Sequence, residues 1–203
     1  MVLFPRTVVP LHIFEGRYIR MVEDALASDR RIAIAHLRKG WEKDYYGNPK
    51  VHRMITIARI LDEDRLEGGR FNILLEGIER AEIVEELDHK PYRQVKATPL
   101  VDLLTDEEMP EIREQLEDLK AMARRVADYQ PKLVKTLTNL TNQYLHPGII
   151  ADIVAAQLVM DSYERQSLLE QTRVLRRLQL MNVQLRRQVA DFERANHDRF
   201  DHG

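Results

Sequence analysis

The spacing of apolar residues changes once along this chain, near residue 104, and that change limits the folds open to it. Before it, short β-branched runs are punctuated by Gly and Pro, with one helical stretch inserted. After it, apolar residues recur in steps of three and four almost to the end, the period of helices packed on one another. A single chain that switches period in this way is expected to be α+β, with its sheet and its helices segregated along the sequence.

In the first part, Val8 to Ile13 is a Pro-bounded extended run. Tyr18, Met21, Val22, Ala25 and Leu26 share one face of a helix of about three turns, and Tyr18 is expected to pack inward. Arg31 to Leu37 reads as a strand and Gly40 to Lys50 as a loop with a turn at Gly47-Asn48-Pro49. Met54 to Leu61 and Phe71 to Leu75 are expected strands, and Glu67-Gly68-Gly69-Arg70 between them is a hairpin signal. Ile78 to Leu87 and Tyr92 to Leu103 complete the set. Five or six strands around one helix predict a small closed or nearly closed barrel, since closure removes exposed edges.

The second part opens on Thr105-Asp106-Glu107-Glu108, the pattern of a capping box. Met109, Ile112, Leu116, Leu119, Ala123 and Val126 form a stripe suited to a bundle. Pro131 permits a second helix with Leu133, Val134, Leu137, Leu140 and Tyr144 inward. After Pro147-Gly148, Ile149, Ile150, Ile153, Val154 and Leu158 begin a third. Asp161-x-x-Glu164 is another capping start, and Val174, Leu178, Met181, Leu185, Val189 and Phe192 mark a long final helix. Its stripe from Val174 to Val189 is long for packing within one bundle, so self-association or docking on a larger assembly through the end of this helix is a further expectation.

Composition removes several functional classes. With 44% apolar and 32% charged residues the 203-residue chain reads as a globular protein, and no apolar run approaches bilayer length. The N-terminus lacks the pattern of a signal peptide. The absence of cysteine excludes thiolate catalysis and cysteine-bound zinc, and it suits a reducing cytoplasm. A net charge of -2, split as 17 basic and 17 acidic residues through Leu104 and 14 and 16 beyond, argues against a dedicated nucleic-acid binder.

Four stretches resemble the amino-terminal, substrate-binding domain of Lon proteases. VLFP with VVPLHIFEGRYIRMVEDAL, ending at Leu26, is similar to the opening signature of that family. GRFNILLEGIERAEIVEEL (Gly69 to Leu87) resembles its second hallmark, YRQVKATPL (Tyr92 to Leu100) the strand after it, and IADIVAAQLVMDSYERQSLLEQTRVLRRLQLM, ending at Met181, its helical segment. The resemblance implies a free-standing Lon-domain protein: a PUA-like β-barrel (pseudobarrel) with one inserted helix at residues 1–103, then an all-α bundle at 104–203. It also implies recognition of unfolded or tagged polypeptide, with a separate protease or ATPase as a candidate partner. Two departures stand out. The family carries about ten more residues upstream that supply a first strand, and Gly16 replaces its proline after glutamate.

Catalytic motifs are absent. ATP binding needs a Gly-rich loop ending in Gly-Lys-Ser/Thr, and the adjacent pair Gly68-Gly69 sits in a hairpin signal instead. A serine peptidase needs an activated nucleophile, yet Ser28, Ser162 and Ser167 lie in no nucleophile elbow, two of them in predicted helices. The histidines show no His-Glu-x-x-His spacing. Asp62-Glu63-Asp64 reads as a solvated hairpin end, and His12 as a hydrogen-bonded structural residue. No cofactor or metal is expected.

Candidate binding residues follow from what an unfolded segment requires, apolar and aromatic surface with a polar rim. Trp41, Tyr45 and Tyr46 share one loop, where they either offer contact area or plug the barrel mouth. Pro10, Leu11 and Phe14 lie on the extended motif, with a core role the simpler reading for Leu11 and Phe14, and Arg17 starts the helix. A rival reading rests on Arg173, Arg176, Arg177, Arg186 and Arg187, which have no acidic neighbour between residues 172 and 190. Such a stripe is either an RNA-binding face or the solvated side of an amphipathic helix.

Overall fold

The computed structural model describes residues 1–44, 47–129 and 146–200, and the chain divides into two units, Met1–Val101 and Asp102–Gly203. Tyr45 and Tyr46, and the helix expected after Pro131 with Leu133, Val134, Leu137, Leu140 and Tyr144, lie outside the described residues.

The first unit is an antiparallel sheet with one helix. Strand β1 (Val8–Ile13) leads into α1 (Gly16–Leu26), followed by β2 (Arg31–Ile34), a 3-10 turn at Trp41–Asp44, β3 (Met54–Arg65), β4 (Phe71–Leu87) and β5 (Gln94–Leu100). The hairpin expected at Gly68-Gly69 joins β3 to β4, and both glycines take the positive φ such a turn demands (76° and 77°). The ladder of the expected Arg31 to Leu37 strand is continuous only through Ile34, and antiparallel pairing resumes at an isolated bridge between Leu37 and Val51.

The runs expected on either side of Gly77 form one 17-residue strand rather than two. The glycine marks a close approach. The N-terminal turn crosses β4 there, with Arg6 N–H donating to Gly77 O (2.7 Å) and Gly77 N–H to Thr7 O (2.9 Å). A Cβ at Gly77 would lie 2.2 Å from Phe4 O.

Strand β4 organises the sheet. One of its edges pairs with β3 from Phe71 to Glu82; the other is shared by β1, against Phe71–Glu76, and β5, against Arg80–Leu87. The order is therefore β2-β3-β4 with β1 and β5 side by side on the far edge. The expected closure is not made by hydrogen bonds among the described residues, because no ladder joins β2 to β1 or β5. The sheet holds two apolar clusters. Leu3, Val22, Ala25, Ile32, Ile60, Phe71 and Leu75 gather beneath α1, and Val51, Ile55, Ala81 and Ile83 form the second, with Ala35, Leu37, Val95 and Ala97 packed against it.

In the second unit, α2 (Met109–Asp128), α3 (Pro147–Leu158), α4 (Ser162–Leu169) and α5 (Val174–Phe200) are described. The capping box expected at Thr105 does not form. Residues Asp106–Glu108 close a 3-10 turn instead, and neither Thr105 nor Glu108 makes a side-chain cap. Glu107 is held below its ordinary pKa by its own backbone N–H and then by the Thr105 hydroxyl, which donates rather than accepts. At α4 the expected cap is present: Asp161 Oδ1 accepts from the N–H groups of Tyr163 (2.9 Å) and Glu164 (2.8 Å).

The stripe of α5 is consumed within its own unit. Val174, Leu178, Met181 and Leu185 are fully buried and Val189 is 3% exposed, each stabilising the unit by about 1.5–3 kcal/mol. From Val174 to Val189 the stripe is therefore packed inside its own unit. Among the described residues no helix is long and apolar enough to cross a membrane.

Candidate functional site

The first unit carries a groove of about 490 Å³. Its floor is apolar because Ile55 and Ile83 project from neighbouring strands of the curled sheet, joined by Val51 and Val95. One wall is α1, through Tyr18, Met21, Asp24 and Ala25. The other runs along β2 and its continuation, from Arg31 to Leu37. Lys90, Tyr92 and Arg93, on the approach to β5, close the rim. A second hollow of about 530 Å³ shares Tyr18, Leu37, Lys90, Tyr92 and Arg93 with the first and extends toward Glu15, Arg17 and Gly47–Pro49.

Asp24 is the electrostatic centre of the rim. Its Oδ2 accepts from the Tyr92 hydroxyl (2.7 Å) and from Lys90 Nζ (3.1 Å), while Arg20 Nε lies 3.3 Å from Oδ1. These contacts, the Tyr92 hydrogen bond first, hold the Asp24 carboxyl below its ordinary value. Burial, and then the neighbouring carboxylate, push the Tyr92 hydroxyl up to about 12. Arg93 anchors the loop before β3, donating to Pro49 O (2.7 Å) and to Asn48 Oδ1, with its Nε 3.1 Å from Glu86. Such a surface, apolar below and polar around, suits an apolar segment held by a hydrogen-bonding rim. For covalent chemistry it is poorly equipped. The serine in the lining, Ser28, donates to Ala25 O (3.4 Å), and no histidine is in the lining to act as its base.

The sequence-derived candidates divide. Tyr18 lines the groove and is 37% exposed rather than packed inward. Arg17 lies at the second hollow, its guanidinium 4.7 Å from the centre of the Tyr18 ring and paired with Glu15. Leu11 faces the core, as strand alternation requires. Pro10 and Phe14 are exposed on the outer side of β1, where Phe14 (64% exposed) stacks on His12 and His12 Nδ1 lies 2.8 Å from Asn72 Oδ1. Trp41 is half-buried in the 3-10 turn and does not line the groove.

The arginine stripe is not a free face. Arg177 is fully buried in the second unit, where it donates to both carboxylate oxygens of Asp102 (3.0 and 2.5 Å) and to Gln171 O (2.6 Å), with Nε 3.3 Å from Asp152. Arg173 pairs with Glu108 (2.6 Å) and Arg186 with Asp118 (2.8 Å). Their acids come from distant positions, so a scan of residues 172–190 misses them. Arg176 and Arg187 are exposed. Sequence reasoning also missed Asp24, Lys90, Tyr92 and Arg93 at the rim. Of these, Tyr92 and Arg93 figure in the sequence only as the start of an expected strand.

These observations define a class: a mixed chain of antiparallel sheet and several helices whose sheet unit carries an apolar groove with a polar rim. The model for the ATP-dependent protease La (LON) substrate-binding domain matches residues 1–187, and the chain belongs to that family. It is 31% identical over 193 residues to the Lon protease of Trichlorobacter lovleyi, covering 92% of this chain and 23% of that protein. It is 28% identical over 180 residues to Lon protease 2 of Myxococcus xanthus, covering 89% of this chain and 22% of that protein. The chain thus spans less than a quarter of these relatives. The fold is shared with the N-terminal domain of Mycobacterium avium complex Lon protease (TM-score 0.66, 22% identity, 89% of this chain and 90% of that one). It is also shared with the Lon N-terminal domain protein from Xanthomonas campestris (TM-score 0.56, 20% identity, 88% and 89%).

Proposed function

We propose that this chain is a non-catalytic recognition module that binds unfolded or tagged polypeptide segments, with the groove beside α1 as its site. The observation that carries this is the groove itself: Ile55, Ile83, Val51 and Val95 as floor, Tyr18 and Tyr92 on the rim, and the Asp24 network holding the rim in place. Membership of a substrate-binding family supports the same reading. The curled sheet is taken as a PUA-like pseudobarrel left open at this groove. A separate protease or ATPase in the cytoplasm is the natural recipient of what it binds, and the chain itself requires no cofactor.

RNA binding through the arginine helix is the weaker alternative. Arg177 is a core residue, and Arg173 and Arg186 already face carboxylates. An adaptor role through the α5 stripe is weaker still, since that stripe is buried.

The test compares Tyr18→Ala with Phe14→Ala in binding of a labelled, permanently unfolded polypeptide. Exposed aromatic anchors at interfaces are worth about 2 kcal/mol or more, so Tyr18→Ala is expected to weaken binding by tenfold or more, about 1.4 kcal/mol per decade, and Phe14→Ala to leave it unchanged. The reverse pattern would move the site to the outer face of β1.

A further inference from the structure

We propose that the occupant of the groove is an extended apolar polypeptide segment that adds as a strand to the free edge of β2, held by main-chain hydrogen bonds. This rests on the polypeptide-recognition reading above and specifies how recognition is achieved.

The edge is open in a regular pattern. Ile60 N–H donates to Arg30 O (2.8 Å), and the bridge at Leu37 and Val51 is flanked by Arg38 N–H to Lys50 O (2.8 Å) and His52 N–H to His36 O (2.9 Å). In an antiparallel ladder, residues alternate between facing the partner and facing away. The even-numbered residues from Ile32 to Arg38 therefore direct their main-chain groups at β3 and the segment before it, and Ala33, Ala35 and Leu37 turn theirs outward. Arg31 belongs to the outward set, but its N–H is taken by Asp29 Oδ1 (3.2 Å). The open row thus begins at Ala33. All three outward residues line the groove. At about 3.3 Å per residue, the row has room for a segment of roughly five residues.

The other outer edges of this sheet are blunted and this one is not. Edge strands are protected from accidental pairing by proline, lysine and bulges. β1 carries Pro10, and β5 carries Lys96 and Pro99. From Ala33 to Leu37 the β2 edge has neither proline nor lysine, and its first two outward side chains are alanines, small enough for another backbone to approach. Strand addition draws its affinity from groups that every polypeptide has, with pockets for alternate side chains adding selectivity. That suits a module that must recognise many unfolded sequences. The cations of the lining are already matched, Arg31 by Asp29, Lys90 by Asp24 and Arg93 by Glu86, so recognition falls to the main chain and the apolar floor rather than to charge.

The experiment uses the full chain and a labelled peptide of alternating valine and serine with aspartate at each end. Two derivatives are compared, one N-methylated at every valine and the other at every serine. With the valines on the apolar floor, one set of N–H groups faces β2 and the other faces solvent. One derivative is therefore expected to lose affinity by about tenfold or more, the cost of unmade buried hydrogen bonds, while the other binds like the parent. A protein variant, Ala33→Pro, removes the outward donor without breaking a ladder bond; it is expected to keep its melting temperature and lose the peptide. Equal effects of the two methylation patterns, whether none or large, would overturn strand addition while leaving polypeptide recognition in place. Failure of the parent peptide to bind would overturn both.

Discussion

The Tyr92 hydroxyl donates a 2.7 Å hydrogen bond to Asp24 Oδ2, tying helix α1 to the approach of β5 across the rim of the groove. The bond gives the rim a defined pH behaviour. Asp24 titrates below its ordinary 3.8, so its contribution to stability is complete above that value and is lost as pH falls through the lowered one. Tyr92 is raised from 10 to about 12, so its contribution is complete below 10 and is lost as pH rises toward 12. Absorbance of tyrosinate against pH is expected to show one late-titrating tyrosine. Tyr92→Phe should remove that component and bring the Asp24 carboxyl, followed by NMR, back up toward 3.8. Unchanged tyrosine titration in the variant would break the assignment.

Arg177 is the second testable point. Fully buried itself, it faces the buried carboxylate of Asp152 and the partly exposed one of Asp102. Truncation to alanine removes the guanidinium that faces these carboxylates, and breaking a buried ion pair costs about 3–5 kcal/mol in comparable sites. Urea denaturation of Arg177→Ala is expected to show that loss, whereas Arg187→Ala, at an exposed position, should fall within about 0.5 kcal/mol of the parent. A small effect at Arg177 would mean that the residue is solvated after all.

Gly77 makes a sharper steric claim. An alanine Cβ there would sit 2.2 Å from Phe4 O and 3.3 Å from Leu3 Cγ, so the N-terminal turn must move. Gly77→Ala is expected to destabilise the first unit by about 1–3 kcal/mol, the usual cost of overpacking. NMR shifts should concentrate in residues 3–7. A neutral substitution would show that the turn does not rest on β4.

Much of the fold was legible because periodicity is a local signal. The change near residue 104, the β3–β4 hairpin, the buried faces of α2 and α5 and the Asp161 cap all follow from spacing and turn chemistry. Errors arose where a distant partner decides the outcome. Gly77 reads as a strand break until the Phe4 backbone is seen beside it. Arg177 reads as surface charge until Asp102, 75 residues away, meets it. Phe14 reads as core, yet its neighbours leave it exposed on β1.

The groove was the least legible feature, for the same reason. Asp24 and Tyr92 are 68 residues apart in sequence, and Ala33 and Ala35 carry no side-chain chemistry to draw notice. Their importance lies in main-chain groups left without a strand partner, which only the ladder pattern exposes.

Polypeptide recognition without catalysis is put to the test by fluorescence anisotropy of a labelled, permanently unfolded polypeptide titrated with the full chain at low and high salt. Apolar burial and main-chain hydrogen bonds predict saturable binding that changes little with ionic strength, and a polypeptide recovered intact. Binding that collapses at high salt would instead mark a surface built on charge, and no binding at all would contradict the account.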